Sequence, residues 1–124
     1  INGDAICTPE DAALLKTDGS YPSGHSAIGW GWALILSQLV PEKAEAILAR
    51  GRDYANSRMV CNVHWMSDTE AGMTVGAAAF ARLQNNALFQ ATMAAARIEL
   101  TSDAISQPNA ETCAEEAEVL ATSR

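Results

Sequence analysis

Basic side chains are in short supply: eight Lys and Arg stand against fifteen Asp and Glu, for a net charge of −7 at pH 7. A field of that sign repels a phosphate backbone, whose binding depends on many Lys and Arg contacts, so nucleic acid is not expected as a partner. Long apolar runs are missing too. The longest, from Ala27 to Val40, falls short of the roughly 20 residues that a helical membrane span needs. Cysteine occurs only as Cys7, Cys61 and Cys113, with no CxxC and no Cys/His pair at zinc spacing, which leaves a structural metal site without support. Two of the three could pair in an oxidising compartment. Cys7–Cys61 is the more attractive choice, because both lie near the stretches that hold the histidines; three unpaired thiols are the equal alternative. The chain opens on Ile1 with no charged and apolar leader, which reads as a targeting peptide removed or never present.

What is present suits one helical domain. The 124 residues are enough for a single core, and 48% apolar against 19% charged residues can fill one. Thr8-Pro9-Glu10-Asp11 reads as a helix start, with Thr8 as cap and Pro9 in the first turn, running to about Lys16. A Gly, Ser, Asp and Pro-rich loop follows to Gly24. Ile28, Trp32, Ile35, Leu36 and Leu39 then recur at helical spacing, as a buried central helix would require. Pro41 opens a second helix to about Ser57, packed through Ala44, Ile47, Leu48 and Tyr54.

A third helix is expected from His64 to about Leu83, with small residues allowing close contact on its later turns. A fourth is expected from Ala87 to about Leu100, with Leu88, Phe89, Met93 and Ile98 in the core. The polar tail offers one weak helix from about Ala110 to Ala121, with its glutamates on a solvated face. Strand-like alternation is confined to a brief stretch near Met59 to Val63, and the fold class expected is all-α. Trp30, Trp32 and Trp65 are expected in the core or a pocket wall.

Only two histidines exist, and each sits in a cluster of polar or small residues. Asp68 lies four residues after His64, so on a helix its carboxylate could hold one imidazole nitrogen and leave the other to act as nucleophile. Arg58 offers a planar fork of donors that stays charged and suits phosphoryl oxygens. Ser23 and Gly24 precede a helix, where a hydroxyl and successive backbone N–H groups could surround an oxyanion. His25, next in the chain, could as imidazolium protonate a departing alkoxide.

Taken together, Pro22-Ser23-Gly24-His25 and Ser57-Arg58-x5-His64-x3-Asp68 resemble the second and third motifs of the superfamily that includes type 2 phosphatidic acid phosphatases and vanadium haloperoxidases. Gly19-Ser20-Tyr21 before the former, with Cys61-x2-His64-Trp65-x-Ser67-Asp68, is similar to the class A bacterial nonspecific acid phosphatases over about residues 5–98. The resemblance implies an incomplete helical bundle: residues 1–105 as the C-terminal part of the phosphatase domain, and 106–124 as a polar tail. It implies that His64 attacks phosphorus to give a phosphohistidine, that Asp68 orients it, and that His25 protonates the leaving group. Arg58, Ser23 and the Gly24 N–H would hold phosphate oxygens.

No metal or cofactor is implied for hydrolysis, although vanadate or phosphate could occupy the site. Periplasmic or secreted localisation is implied, as is a phosphomonoester substrate. The family's first motif, Lys-x6-Arg-Pro, is absent from the sequence. Loss of one oxyanion donor typically costs about 2.7–4 kcal/mol of transition-state stabilisation, so this chain alone is expected to be a poor catalyst. The implied partner is an N-terminal segment or second chain carrying those cations, with a homo-oligomer as a further possibility. Two other readings compete: a vanadate-dependent haloperoxidase, and an inactive truncated binding or interaction module.

Overall fold

The structure, a computed structural model, describes residues 5–102 and 108–122, the last by its backbone alone. Among these residues there is no strand, and the architecture is all-α. The chain forms two compact units, Ile1–Met93 and Ala94–Arg124. The boundary expected at 105/106 lies outside the described residues.

The first helix is shorter and tighter than its sequence suggests. Pro9–Asp11 forms a 3-10 turn that runs into α1, Ala12–Leu15, and the Thr8 side chain makes no capping bond. α2 spans Gly24–Leu39, where Ser23, in extended conformation, caps the start by accepting the Ser26 N–H. Pro41–Lys43 is a second 3-10 turn, leading into α3 at Ala44–Val60, three residues beyond the expected end. α4 spans Met66–Leu83 and α5 Ala87–Leu100, the latter capped by Asn86, whose side chain accepts the Phe89 N–H at 2.9 Å. In the second unit, α6 at Ala110–Thr122 is capped by Asn109, which accepts from the Glu111 and Thr112 N–H groups. The stretch 59–63 is the end of α3 and a turn, not a strand.

α2 packs on α3 and on α4. The α2–α4 contact is a backbone approach made possible by two glycines one helical turn apart on α4. A Cβ on Gly72 would strike the Ser23 carbonyl oxygen, and one on Gly76 would strike that of Ala27. Where helices meet this closely, little room remains for large side chains, and the buried positions are accordingly small: Ser23, Ser26, Ala33, Gly51, Ala55 and Thr69.

The large apolar residues expected inside are therefore partly displaced outward. Ile35 and Leu39 are half-buried, but Ile28, Trp32 and Leu36, spaced four apart on the third side of α2, are exposed by 57%, 65% and 46%. Trp65 is exposed, while Trp30 is half-buried beneath the Arg52 guanidinium, 5.7 Å from the ring centroid. On α5, Met93 is buried and Phe89 meets Phe80 edge-on at 6.5 Å. Leu88 and Ile98, expected in the core, point to solvent.

Candidate active site

All the residues singled out from the sequence lie in the first unit, at the ends of α2, α3 and α4. The N-terminus of α2 carries Ser23, Gly24 and His25. Ser23 is fully buried, while Gly24 and His25 are exposed. Gly24 and His25 are the first two residues of a 16-residue helix, so their N–H groups have no carbonyl within it to donate to and present the positive end of the dipole. That is an anion-seeking arrangement.

One backbone bond brings this loop to the second histidine cluster. The Ser23 N–H donates to the Asp68 carbonyl at 2.9 Å, joining the start of α2 to the first turn of α4. The two sequence motifs therefore touch through Ser23 and Asp68.

His64 does not lie on α4, as its spacing suggested, but in the turn before it. α4 begins at Met66 because Trp65 is extended and Asp68, at the third helical position, accepts the Trp65 N–H through Oδ2 at 3.0 Å. The same Oδ2 stands 3.5 Å from His64 Nδ1, which is buried and makes no shorter polar contact. That separation is longer than an ordinary N–H···O hydrogen bond. Catalytic contacts of this kind are often long before substrate arrives and tighten in the complex. With Nδ1 turned to Asp68, Nε2 is the nitrogen left for chemistry, and the side chain of His64 remains 11% exposed.

Asp68 itself is buried. The Trp65 N–H holds its carboxyl below the ordinary carboxylate value; burial opposes this, and Ser20, His64 and Ser67 reinforce it. Asp68 is thus kept as a carboxylate.

Arg58 sits in the last turn of α3 and is anchored on three sides. Its Nε donates to the Ser57 hydroxyl at 3.3 Å, one terminal nitrogen lies 3.7 Å from Cys61 Sγ, and the guanidinium stacks over Tyr54 at 5.7 Å. Its backbone reaches the histidine as well: the Arg58 carbonyl accepts from the Val63 and His64 N–H groups at 3.2 and 3.3 Å. That return turn needs a left-handed residue, and Asn62 supplies it at φ 55°. The Asn62 amide donates to the Ala5 carbonyl at 2.9 Å, and Cys7 is joined to Cys61 in a disulfide with Cα atoms 5.0 Å apart. The segment at residues 5–7 thereby staples the turn between Arg58 and His64, and the pairing left open by the sequence is Cys7–Cys61. Cys113 is a free, exposed thiol.

Ser20 and Ser26 escaped the sequence reading. Ser20 was read only as part of the Gly19-Ser20-Tyr21 stretch of the resemblance, with no role of its own, whereas Ser26 follows from the capping rule, since the third helical position is where an N-cap hydroxyl finds its donor. Among the described residues no group of three His, Cys, Asp or Glu is arranged to hold a metal, and no helix is long and apolar enough to cross a membrane.

The profile of the PAP2 superfamily matches residues 3–90. The chain is 50% identical over 96 residues to the non-specific acid phosphatase of Salmonella typhi, covering 77% of this chain and 38% of that protein. It is 47% identical over 95 residues to the acid phosphatase of Zymomonas mobilis, covering 77% and 36%. It is 44% identical over 97 residues to the non-specific acid phosphatase of Providencia stuartii, covering 78% and 39%. The chain thus spans under two fifths of the length of the curated relatives it matches.

Proposed function

We propose, from the premise that this chain belongs to the PAP2 superfamily, that it carries the nucleophile end of an acid phosphatase acting on phosphomonoesters. The observation that carries the reading is the His64–Asp68 pair, joined by the Ser23 to Asp68 backbone bond to a helix N-terminus with two uncommitted N–H groups. A buried carboxylate, an imidazole held at one nitrogen, an anchored guanidinium and a dipole end at the junction of three helix termini suit a dianionic phosphoryl group.

In this reading the phosphoryl oxygens lie against Arg58, Ser23 and the Gly24 N–H. His64 Nε2 attacks phosphorus and the bond to the alcohol oxygen breaks, while His25 passes a proton to that oxygen. The phosphohistidine is then cleaved by water, which gives its proton back to His25, and inorganic phosphate leaves. Asp68, held ionised, fixes His64 through Nδ1 and offsets the positive charge that the ring gains on phosphorylation. No cofactor enters these steps, and vanadate would occupy the pocket as a phosphate mimic.

Residues 1–105 form the phosphatase part of the chain in this account. The Lys-x6-Arg-Pro cations would come from another segment of the complete protein or from a second polypeptide, and the complete protein would work in the periplasm or outside the cell. The names of the curated relatives support the substrate class. The test is hydrolysis of an aryl phosphate by the full gene product. Turnover that vanishes in His64→Ala supports the reading, and turnover that survives the substitution refutes it.

A further inference from the structure

We infer that Tyr54 is a positioning residue whose ring orients the Arg58 guanidinium, and that Gly29 makes the place for that ring; this rests on the phosphatase reading above. α2 and α3 run antiparallel along their contact. A Cβ on Gly51 of α3 would meet Ala33 of α2, and a Cβ on Gly29 of α2 would strike the Tyr54 ring on α3. The line of contact thus runs back along α2 from Ala33 to Gly29 as it runs forward along α3 from Gly51 to Tyr54. One turn further on each helix stand His25 and Arg58.

With no side chain at Gly29, the Tyr54 ring lies against the α2 backbone, and the Arg58 guanidinium sits over that ring at 5.7 Å from its centroid. Tyr54 reaches Arg58 by a second route through the backbone. The Ser57 hydroxyl donates to the Tyr54 carbonyl at 2.6 Å and accepts from Arg58 Nε at 3.3 Å. A ring face and one held nitrogen restrict a long side chain to few orientations, so the guanidinium fork is ordered before an anion arrives.

Tyr54 touches neither phosphorus nor the leaving group in this account. It acts through Arg58, and it does so with its ring, since the phenol oxygen takes no part in either route.

The experiment is a mutant cycle in the full gene product, with an aryl phosphate as substrate and inorganic phosphate as inhibitor. Tyr54→Leu removes the ring and should lower kcat/KM by about two- to fivefold, matched by weaker phosphate inhibition. Tyr54→Phe keeps the ring and should match the wild type in both readouts. On an Arg58→Ala background, Tyr54→Leu should change nothing further. The ring is already 37% exposed, so its loss leaves the core intact; Tyr54→Met, of similar reach, carries the test should the leucine variant fold poorly. A phenylalanine variant as impaired as the leucine one, losses that add across Tyr54 and Arg58, or an active wild type unaffected by Tyr54→Leu each overturn the inference alone. A wild type with no turnover overturns the phosphatase reading and this inference together.

Discussion

The first turns of α2 and α4 and the middles of the same two helices are built in opposite ways. At the ends, the buried residues are polar: Ser23, Ser26, Asp68 and Thr69 are exposed by 3% or less. A few turns on, a groove of about 260 Å³ opens between the helices, lined by Ile28, Trp32, Ile35, Val75, Ala79 and Leu83, and several of these large apolar side chains face solvent. A chain governed by burial alone would do the reverse, since burying polar groups costs free energy unless each is bonded and exposing apolar area forfeits roughly 25 cal/mol per Å². The polar end is tolerated because its groups are tied to one another. In the proposed function that end is where the fold serves chemistry, while the middle is a surface.

This contrast can be broken or sharpened experimentally. The largest effect is expected at the polar end in catalysis. Arg58→Lys keeps the charge but loses the fork and the stacking on Tyr54, and should lower kcat/KM of the full gene product on an aryl phosphate by about 10²-fold. An equal rate in the lysine variant would remove Arg58 from the account.

Next comes stability. Gly72→Ala inserts a methyl against the Ser23 carbonyl and should cost about 1–3 kcal/mol in chemical denaturation, as overpacked cores do. Unchanged stability would mean that the two helices are not pressed together at that point.

A pH effect follows from Asp68. Its folded pKa lies below the ordinary carboxylate value, chiefly through the Trp65 N–H. Its contribution to stability is therefore complete above about pH 4, the unfolded value, and is lost as pH falls through the lower folded one. The gap in Tm between the wild type and Asp68→Asn should close as the solution is acidified below that point. A gap independent of pH would contradict the assignment of the shift. The smallest effect belongs to the groove: Trp32→Ser in this chain should change stability by no more than about 0.5 kcal/mol, because the ring is already 65% exposed. A loss of several kcal/mol would show that the face is covered.

Much of this was legible in the sequence, and the failures have physical causes. Helices α2 to α6 follow from periodicity and from the Pro and Asn residues between them. The i to i+4 spacing of His64 and Asp68 does bring them together, but through a turn, since Asp68 caps α4 from its third position and leaves His64 outside. A tryptophan at the cap gives no start signal of the usual Ser, Thr, Asp or Asn kind. Ile28, Trp32 and Leu36 read as core because periodicity reports an apolar face without reporting what covers it. Gly72 was opaque for another reason. Its role depends on the separation of two helices, which no spacing within either one encodes.

The central claim is that His64 carries the phosphoryl group. It is tested most directly by acid-free rapid quenching of the full gene product during turnover of an aryl phosphate, followed by peptide mapping. The account predicts a phosphorylated peptide whose modified residue is His64, formed and discharged at rates consistent with turnover. Steady turnover with His64 unmodified at every time point, or phosphate found on another residue, would contradict it.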